Sequence, residues 1–190
     1  MFRDLVLANR SYRRFQESER IEADTLRSLV DLARCTPSAG NLQPLKYIIS
    51  CTPEKNAKVF SCLAWAGYLT EWPGPEEGER PSGYIVVLGD TRIAKVFGCD
   101  HGIAAQTILL GATELDLGGC MFGAINRDRL RSELGIEDHL EILLVIGLGR
   151  PVETVVLEDA AADGGIKYYR DEARVHHVPK RRLEDIVLEK

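Results

Sequence analysis

No run of apolar residues approaches the length needed to cross a bilayer, so no membrane span is expected. The opening stretch, MFRDLVLANR, carries charge inside its apolar run and does not read as a signal peptide. Cysteine is scarce and unpatterned: Cys35, Cys51, Cys62, Cys99 and Cys120 form no C-x-x-C pair, and their number is odd. Reduced thiols in a cytoplasmic protein are therefore expected, rather than disulfides or a zinc site. His176 and His177 adjoin, but no acid or cysteine sits beside them at ligand spacing, so no metal is expected. The phosphate loop G-x-x-x-x-G-K-[ST] and the nucleophile turn G-x-S-x-G are both missing. Gly147-Leu148-Gly149 lacks the third glycine of a dinucleotide fingerprint, because Val152 stands there behind Pro151. That segment reads as a strand terminus.

Positive charge is also in deficit, with 24 Lys and Arg against 29 acids and a net charge of −5. A nucleic-acid binder relying on bulk electrostatics is excluded on that balance. The distribution is uneven. Residues 1–20 and residues 167–190 each carry +2, which leaves −9 for residues 21–166. Two basic ends on an acidic body either converge on a small anion or are solvated tails. The composition, 45% hydrophobic and 28% charged, is that of a globular chain. At 190 residues it forms one domain, or one subunit of an intertwined oligomer.

Leu5, Val6 and Ala8 fit a short helix ending near Arg10. Asp24 is expected to cap a helix with Leu26, Leu29, Val30 and Ala33 on its apolar side. Residues 36–44, TPSAGNLQP, break that helix, and strands are expected at 45–51, 84–90 and 141–151, with Pro53 opening a helix over 54–64. Residues 67–83 are rich in Gly, Pro and Glu and read as a lid or an exposed excursion. Asp100 is expected to cap an apolar helix ended by Gly118 and Gly119, with CMFGAI a loop or short extended piece and 126–134 a charged helix. The tail from Ile166 shows no clear helix before LEDIV. Strands and helices alternate without βαβ periodicity, so the class is α+β or mixed α/β.

Three separated segments carry candidate chemistry. Arg10, Arg13 and the Ser11 hydroxyl can form a phosphate clamp or a solvated helix end. Pro37-Ser38-Ala39-Gly40-Asn41-Leu42-Gln43-Pro44 combines rigid prolines with small residues and two amides; it lets a planar ligand lie against backbone while the amides reach its heteroatoms, or is a plain connecting turn. Lys180, Arg181 and Arg182 add cations near the C-terminus.

Taken in order, RSYRRF, ARCTPSAGNLQP, ELDLGGCMFG and VPKRRLEDIV resemble the FMN-dependent nitroreductase family over nearly the whole chain. The resemblance implies an α+β fold with a mostly antiparallel central sheet flanked by helices. It implies an intertwined homodimer with an exchanged C-terminal arm (166–190) and two FMN molecules between the subunits. On this resemblance Arg10, Ser11 and Arg13 contact the phosphate and ribityl chain, and Lys180 and Arg182 the phosphate. Pro37, Ser38, Ala39 and Asn41 belong to the loop laid against the partner's flavin, and Met121, Phe122, Gly123 and Ala124 to the backbone facing its N5/O4 edge. Leu45 stands where an aromatic residue is common, and Asn9 where a further Arg is often seen.

The implied activity is hydride transfer from NAD(P)H to the flavin and on to a nitroaromatic, quinone or similar small oxidant, by a ping-pong mechanism. The flavin carries the chemistry and no side chain is implied as catalytic. The alternatives are a flavin-binding sensor or carrier without turnover, and an FMN enzyme for another redox reaction such as reductive dehalogenation. The expected organisation is one domain over residues 1–190, with a lid-like excursion at 67–83.

Overall fold

The two most continuous apolar runs, YIVVLG and EILLVIGLG, lie side by side. In the computed structural model, which describes residues 2–161 and 164–189, they form β2 (Gly83–Asp90) and β4 (Leu140–Gly149). These pair antiparallel at the centre of a four-stranded sheet of order β1-β2-β4-β3, with β1 (Leu45–Ser50) and β3 (Gly118–Phe122) outside. Such runs stay dry because helices cover both faces. Leu26, Leu29 and Ala33 of α2 (Ala23–Arg34) and Ala105 and Ile108 of α4 (Asp100–Glu114) meet Ile85 and Val87 on one face. Val59 of α3 (Pro53–Phe60) and Leu130 of α5 (Arg127–Leu134) meet Tyr84, Val86 and Leu88 on the other.

Alternation along the strand sorts these side chains, and a bulge resets it. The register passes from Val87↔Leu144 to Leu88↔Ile142 and skips Leu143. One extra residue inverts the facing, so Leu144, Ile146 and Leu148 face the α2–α4 core while Ile142 enters the α3–α5 core. The class is α+β, as expected. Among the described residues no helix is long and apolar enough to cross a membrane.

Several local expectations fail for physical reasons. Asp24 does not cap α2; Glu22 holds that position, and Asp24 lies in the first turn, 2.7 Å from Arg27. Asp100 is the first residue of α4 rather than its cap, which is Cys99, because its carboxylate is engaged elsewhere. α3 stops at Phe60. Gly118 and Gly119 do not end α4, which closes at Glu114; they begin β3, which includes Cys120, Met121 and Phe122.

The C-terminal region forms a second sheet. β5 (Val155–Asp159) runs parallel to β7 (His176–Lys180), and β6 (Tyr169–Arg170) pairs antiparallel with β7. β6 and β7 are thus paired within their own chain, and of the expected arm Ile166, Lys167 and residues 181–189 are exposed; Lys190 lies outside the described residues. α1 (Phe2–Ala8) buries none of its residues, but Asn9 beyond it is 8% exposed. Its amide donates to the Leu109 carbonyl at 3.1 Å and to Thr113 Oγ1 at 3.0 Å, and its oxygen accepts from Gln106 at 3.2 Å. Asn9 therefore docks the N-terminus on α4.

The two glycines opening β3 let the N-terminal segment approach. Tyr12 N donates to the Gly119 carbonyl at 3.0 Å, and Ser11 bridges Gly119 in parallel. A Cβ on Gly118 would strike the Tyr12 ring and sit 2.5 Å from Pro151 Cγ. Gly118→Ala is expected to lower stability by about 1–3 kcal/mol through this overpacking, read as a shift of the urea midpoint. An unchanged midpoint would contradict the close approach.

Candidate functional site

Once the RSYR segment is pinned to β3, its neighbours follow. Arg13 N donates to the carboxylate of Glu153, and the segment lies between β3 and β7. A cavity of about 390 Å³ opens there, lined by Arg10, Ser11, Arg13, Met121 and Lys180. Asn9, Gln106, Tyr168 and His176 also line it, among apolar residues. The N-terminal clamp and the first C-terminal cation, 167 residues apart in the chain from Arg13 to Lys180, meet in one space.

Arg10 Nη2 donates to the Val6 carbonyl at 2.7 Å, and its buried Nε has no partner. Arg13 Nη1 donates to the Ser11 carbonyl at 3.2 Å and lies 3.2 Å from His176 Nε2; its guanidinium sits 4.9 Å from the centre of the Tyr168 ring. Among the described residues, no carboxylate pairs with the side chains of Arg10, Arg13 or Lys180. A guanidinium has no acceptor, so His176 Nε2 accepts and its proton resides on Nδ1, which is buried without a partner. Burial, then the charges of Arg13 and Arg170, pull the His176 pKa down to about 4. The imidazole is neutral at pH 7. Glu153, whose side chain is 0% exposed, also accepts from Arg170 at 3.0 Å.

The Pro37–Asn41 loop lies elsewhere. Ser38 Oγ donates to Asp100 Oδ2 at 2.5 Å, Ala39 N donates to Asp100 Oδ1 at 3.1 Å, and Gln43 N donates back to Ser38 Oγ at 3.0 Å. Gly40, Asn41 and Gln43 all take positive φ (58°, 54° and 51°), a strained run for Gln43 in particular. Pro37 and Ser38 line a different cavity of about 220 Å³ with Tyr47 and Asp100, and it shares no residue with the basic one. Within one chain the loop and the clamp are not brought together.

The other expected residues divide. Only the backbone of Phe122 is free to face a ligand, because its ring packs against Trp65 with centroids 4.6 Å apart. Gly123 and Ala124 are exposed past the end of β3. Arg182 does not line the cavity; it is exposed, 3.9 Å from Glu184. Cys120 is buried, and burial pushes its thiol pKa up, so it carries no thiolate. Sequence reasoning does not pick out Asn9, Gln106, Tyr168 and His176 as lining residues. Gln106 is the one signal in the sequence, a polar residue inside the otherwise apolar IAAQTILL.

The excursion at 67–83 is anchored rather than loose. Arg14 holds Glu79 bidentately through its Nε and Nη2, Phe15 N donates to the Glu79 carbonyl at 2.9 Å, and Tyr68 N reaches the Tyr168 hydroxyl at 3.3 Å.

A family model described as the nitroreductase family matches residues 6–150. The chain belongs to the nitroreductase family. A protein of Archaeoglobus fulgidus, provisionally named NADH dehydrogenase/NAD(P)H nitroreductase, is 26% identical over 155 residues, spanning 77% of this chain and 83% of its own. One of Methanothermobacter thermautotrophicus with the same provisional name is 28% identical over 157 residues, 79% of this chain and 77% of its own. A nitroreductase family protein from Streptococcus pneumoniae TIGR4 has the same fold over 100% of both chains, with a TM-score of 0.72 and 18% identity. An FMN-dependent nitroreductase from Clostridium difficile R20291 superposes over 78% of this chain and 87% of its own, with a TM-score of 0.63 and 23% identity. Membership makes this nitroreductase-family chain, in general terms, an oxidoreductase.

The neutral His176 sets a pH dependence. Its folded pKa lies below the unfolded value of 6.5, so its contribution is complete above about pH 6.5 and is lost as pH falls toward about 4. Unfolding free energy is expected to drop by about 2–3 kcal/mol from this group between pH 7 and 4.5. His176→Gln should flatten that part of the profile in urea titrations at the two pH values. An identical profile in the variant would contradict a buried neutral imidazole.

Proposed function

We propose that the chain is a homodimeric FMN-dependent oxidoreductase that takes hydride from NAD(P)H and reduces a nitroaromatic, a quinone or a similar small oxidant. The observation that carries this reading is the convergence of Arg10, Arg13 and Lys180, none with a carboxylate partner among the described residues, in one cavity with Ser11. A phosphomonoester fits that donor set: guanidinium forks and an ammonium complement its oxygens, and the orphaned Arg10 Nε asks for an acceptor. The relatives' names, which include NAD(P)H, and the Clostridium difficile neighbour's, which includes FMN, support the same reading.

Bound there, FMN would supply the reversible hydride-accepting chemistry of the reaction. The chain's own part is binding and exclusion of water. Arg10, Arg13 and Lys180 would hold the phosphate, Ser11 would add a hydroxyl, and the Met121–Ala124 backbone would offer amides at the edge of β3; Arg182, outside the cavity, is not part of this clamp. Neutral His176 adds no charge to the cavity, and its Nε2 accepts from the Arg13 guanidinium. The Pro37–Asn41 loop, kept in shape by Asp100, serves the partner subunit's site, which explains why it lies away from its own chain's clamp. Phe2, Leu7, Leu183, Ile186, Val187 and Leu188 are all at least half exposed, an apolar surface suited to a second copy with residues 181–189 as the exchanged arm. Pro37–Asn41 and Met121–Ala124 contain no ionising side chain, and hydride transfer needs none at carbon. Reductant and oxidant thus use one site in turn.

Arg13→Ala and Lys180→Ala are each expected to weaken FMN binding by about 1.5–3 kcal/mol, with riboflavin, which lacks the phosphate, changing much less. Fluorescence titration with both ligands tests this, and equal losses for the two would contradict the clamp. Steady-state kinetics should give parallel double-reciprocal lines across oxidant concentrations; intersecting lines would show both substrates bound together.

A further inference from the structure

His177 stands between two carboxylates. Its Nδ1 lies 3.2 Å from Glu158 Oε2 and its Nε2 lies 3.2 Å from Asp171 Oδ2, so both ring nitrogens face acceptors. A neutral imidazole has one N–H to give, whereas the imidazolium has two. Only the protonated ring satisfies both contacts at once; the neutral ring donates to one acid and turns a lone pair on the other. The Tyr169 ring stacks on it, with centroids 4.7 Å apart and planes 4° from parallel, and an aromatic face favours a cation. Asp171 is fixed in place, since its Oδ1 accepts from Val175 N at 2.8 Å and its own N–H donates to the Val175 carbonyl at 3.1 Å. Among the described residues no lysine or arginine forms an ion pair with Glu158 or Asp171. The two acids lie on opposite edges of the ring, an arrangement for two protons rather than for one shared metal ion.

The three side chains belong to three pieces of the C-terminal sheet: Glu158 to β5, His177 to β7, and Asp171 to the turn that joins β6 to β7. Alternation along β7 separates its faces. His176, Val178 and Lys180 line the basic cavity, and His177 lies on the opposite face. The titratable groups against its ring are therefore Glu158 from β5, Tyr169 from β6 and Asp171 from the turn. Asp159 and Lys167 line the cavity beside Glu158 and Tyr169, and Glu172 is exposed in the turn. The other charges of this region turn away: Arg170 to Glu153, Arg174 to Glu79, and Arg13 to His176. The hydrogen bond to Asp171, with that to Glu158, raises the His177 pKa above 6.5 against its partial burial. A raised folded pKa makes the contribution complete below the unfolded value and lost as pH rises through the folded one.

We propose that His177 is a pH-sensitive clasp: protonated, it ties β5, β7 and the β6–β7 turn together, and on losing its proton it keeps one carboxylate and loosens the strand that carries Lys180. The inference is independent of the proposed flavin site, and its test uses the protein without added ligand. Two-dimensional NMR of the imidazole C–H signals, with His177 assigned by its loss in His177→Gln, follows the ring through a pH titration. Its midpoint should lie above 6.5 and fall toward that ordinary value in Asp171→Asn and in Glu158→Gln. Hydrogen exchange of the β7 amides, read by mass spectrometry and corrected for the intrinsic rate at each pH, reports the strand itself. Its protection should fall about two- to fivefold between about pH 6 and about pH 9, the scale of a partly exposed ion pair. His177→Gln, which does not titrate, should flatten that fall. Far-UV circular dichroism checks the folding of the variants, and the exchange measurement on the unmodified protein needs none of them. A midpoint at or below 6.5, a raised midpoint unmoved in both acid variants, constant β7 protection, or a fall equally steep in His177→Gln would each overturn the clasp.

Discussion

A carboxylate with no exposed surface ties the two basic ends of the chain together. Glu153 accepts from the Arg13 backbone N–H and from the Arg170 guanidinium, so the segment before α2 and the hairpin of β6 and β7 share one buried charge. Removing either partner of such a group leaves an uncompensated charge, at a cost of about 3–5 kcal/mol. Within the irregular RSYRR segment the neighbouring arginines diverge. Arg13 points into the cavity that Lys180 also lines, while Arg14 reaches Glu79 and fixes the end of the 67–83 excursion. Arg170 extends the tie, lying 4.1 Å from the centre of the Trp72 ring in that excursion.

A second carboxylate does the same for the other candidate surface. Asp100 holds Ser38 and Ala39 from the first turn of α4, and the loop then passes through three positive φ values within four residues. Strain of that kind persists only where surrounding contacts over-determine it, and here the Gln43 N–H to Ser38 bond closes the loop on itself. Both candidate surfaces are thus shaped by one buried acid each, set against backbone amides.

How far these features are legible in the sequence follows from their physics. The unequal spread of charge is a property of the chain itself, so the amino-acid order alone hints that Arg10, Arg13 and Lys180 meet. The strands β2 and β4 are equally plain, because buried central strands are long apolar runs. Glu153 and Asp100 are not, since a lone acid in PVETV or GCDHG carries no mark of the burial that gives it its role. Asp favours the helix cap on average, but at Asp100 a buried loop contact overrides that preference. Paired glycines commonly stop a helix, yet Gly118 and Gly119 serve as close-approach residues for Tyr12 and Gly147, a choice only tertiary packing makes. β5 and β7 are short, and Pro179 obscures β7, so the sheet that pairs β6 and β7 with their own chain leaves little periodicity to find.

A phosphate at the meeting of the two basic ends requires a phosphomonoester cofactor, and the identity of the flavin that the protein carries tests this most directly. Protein purified without added flavin, denatured and chromatographed, is expected to release FMN. Release of FAD, or a colourless protein that FMN fails to reconstitute, would contradict it.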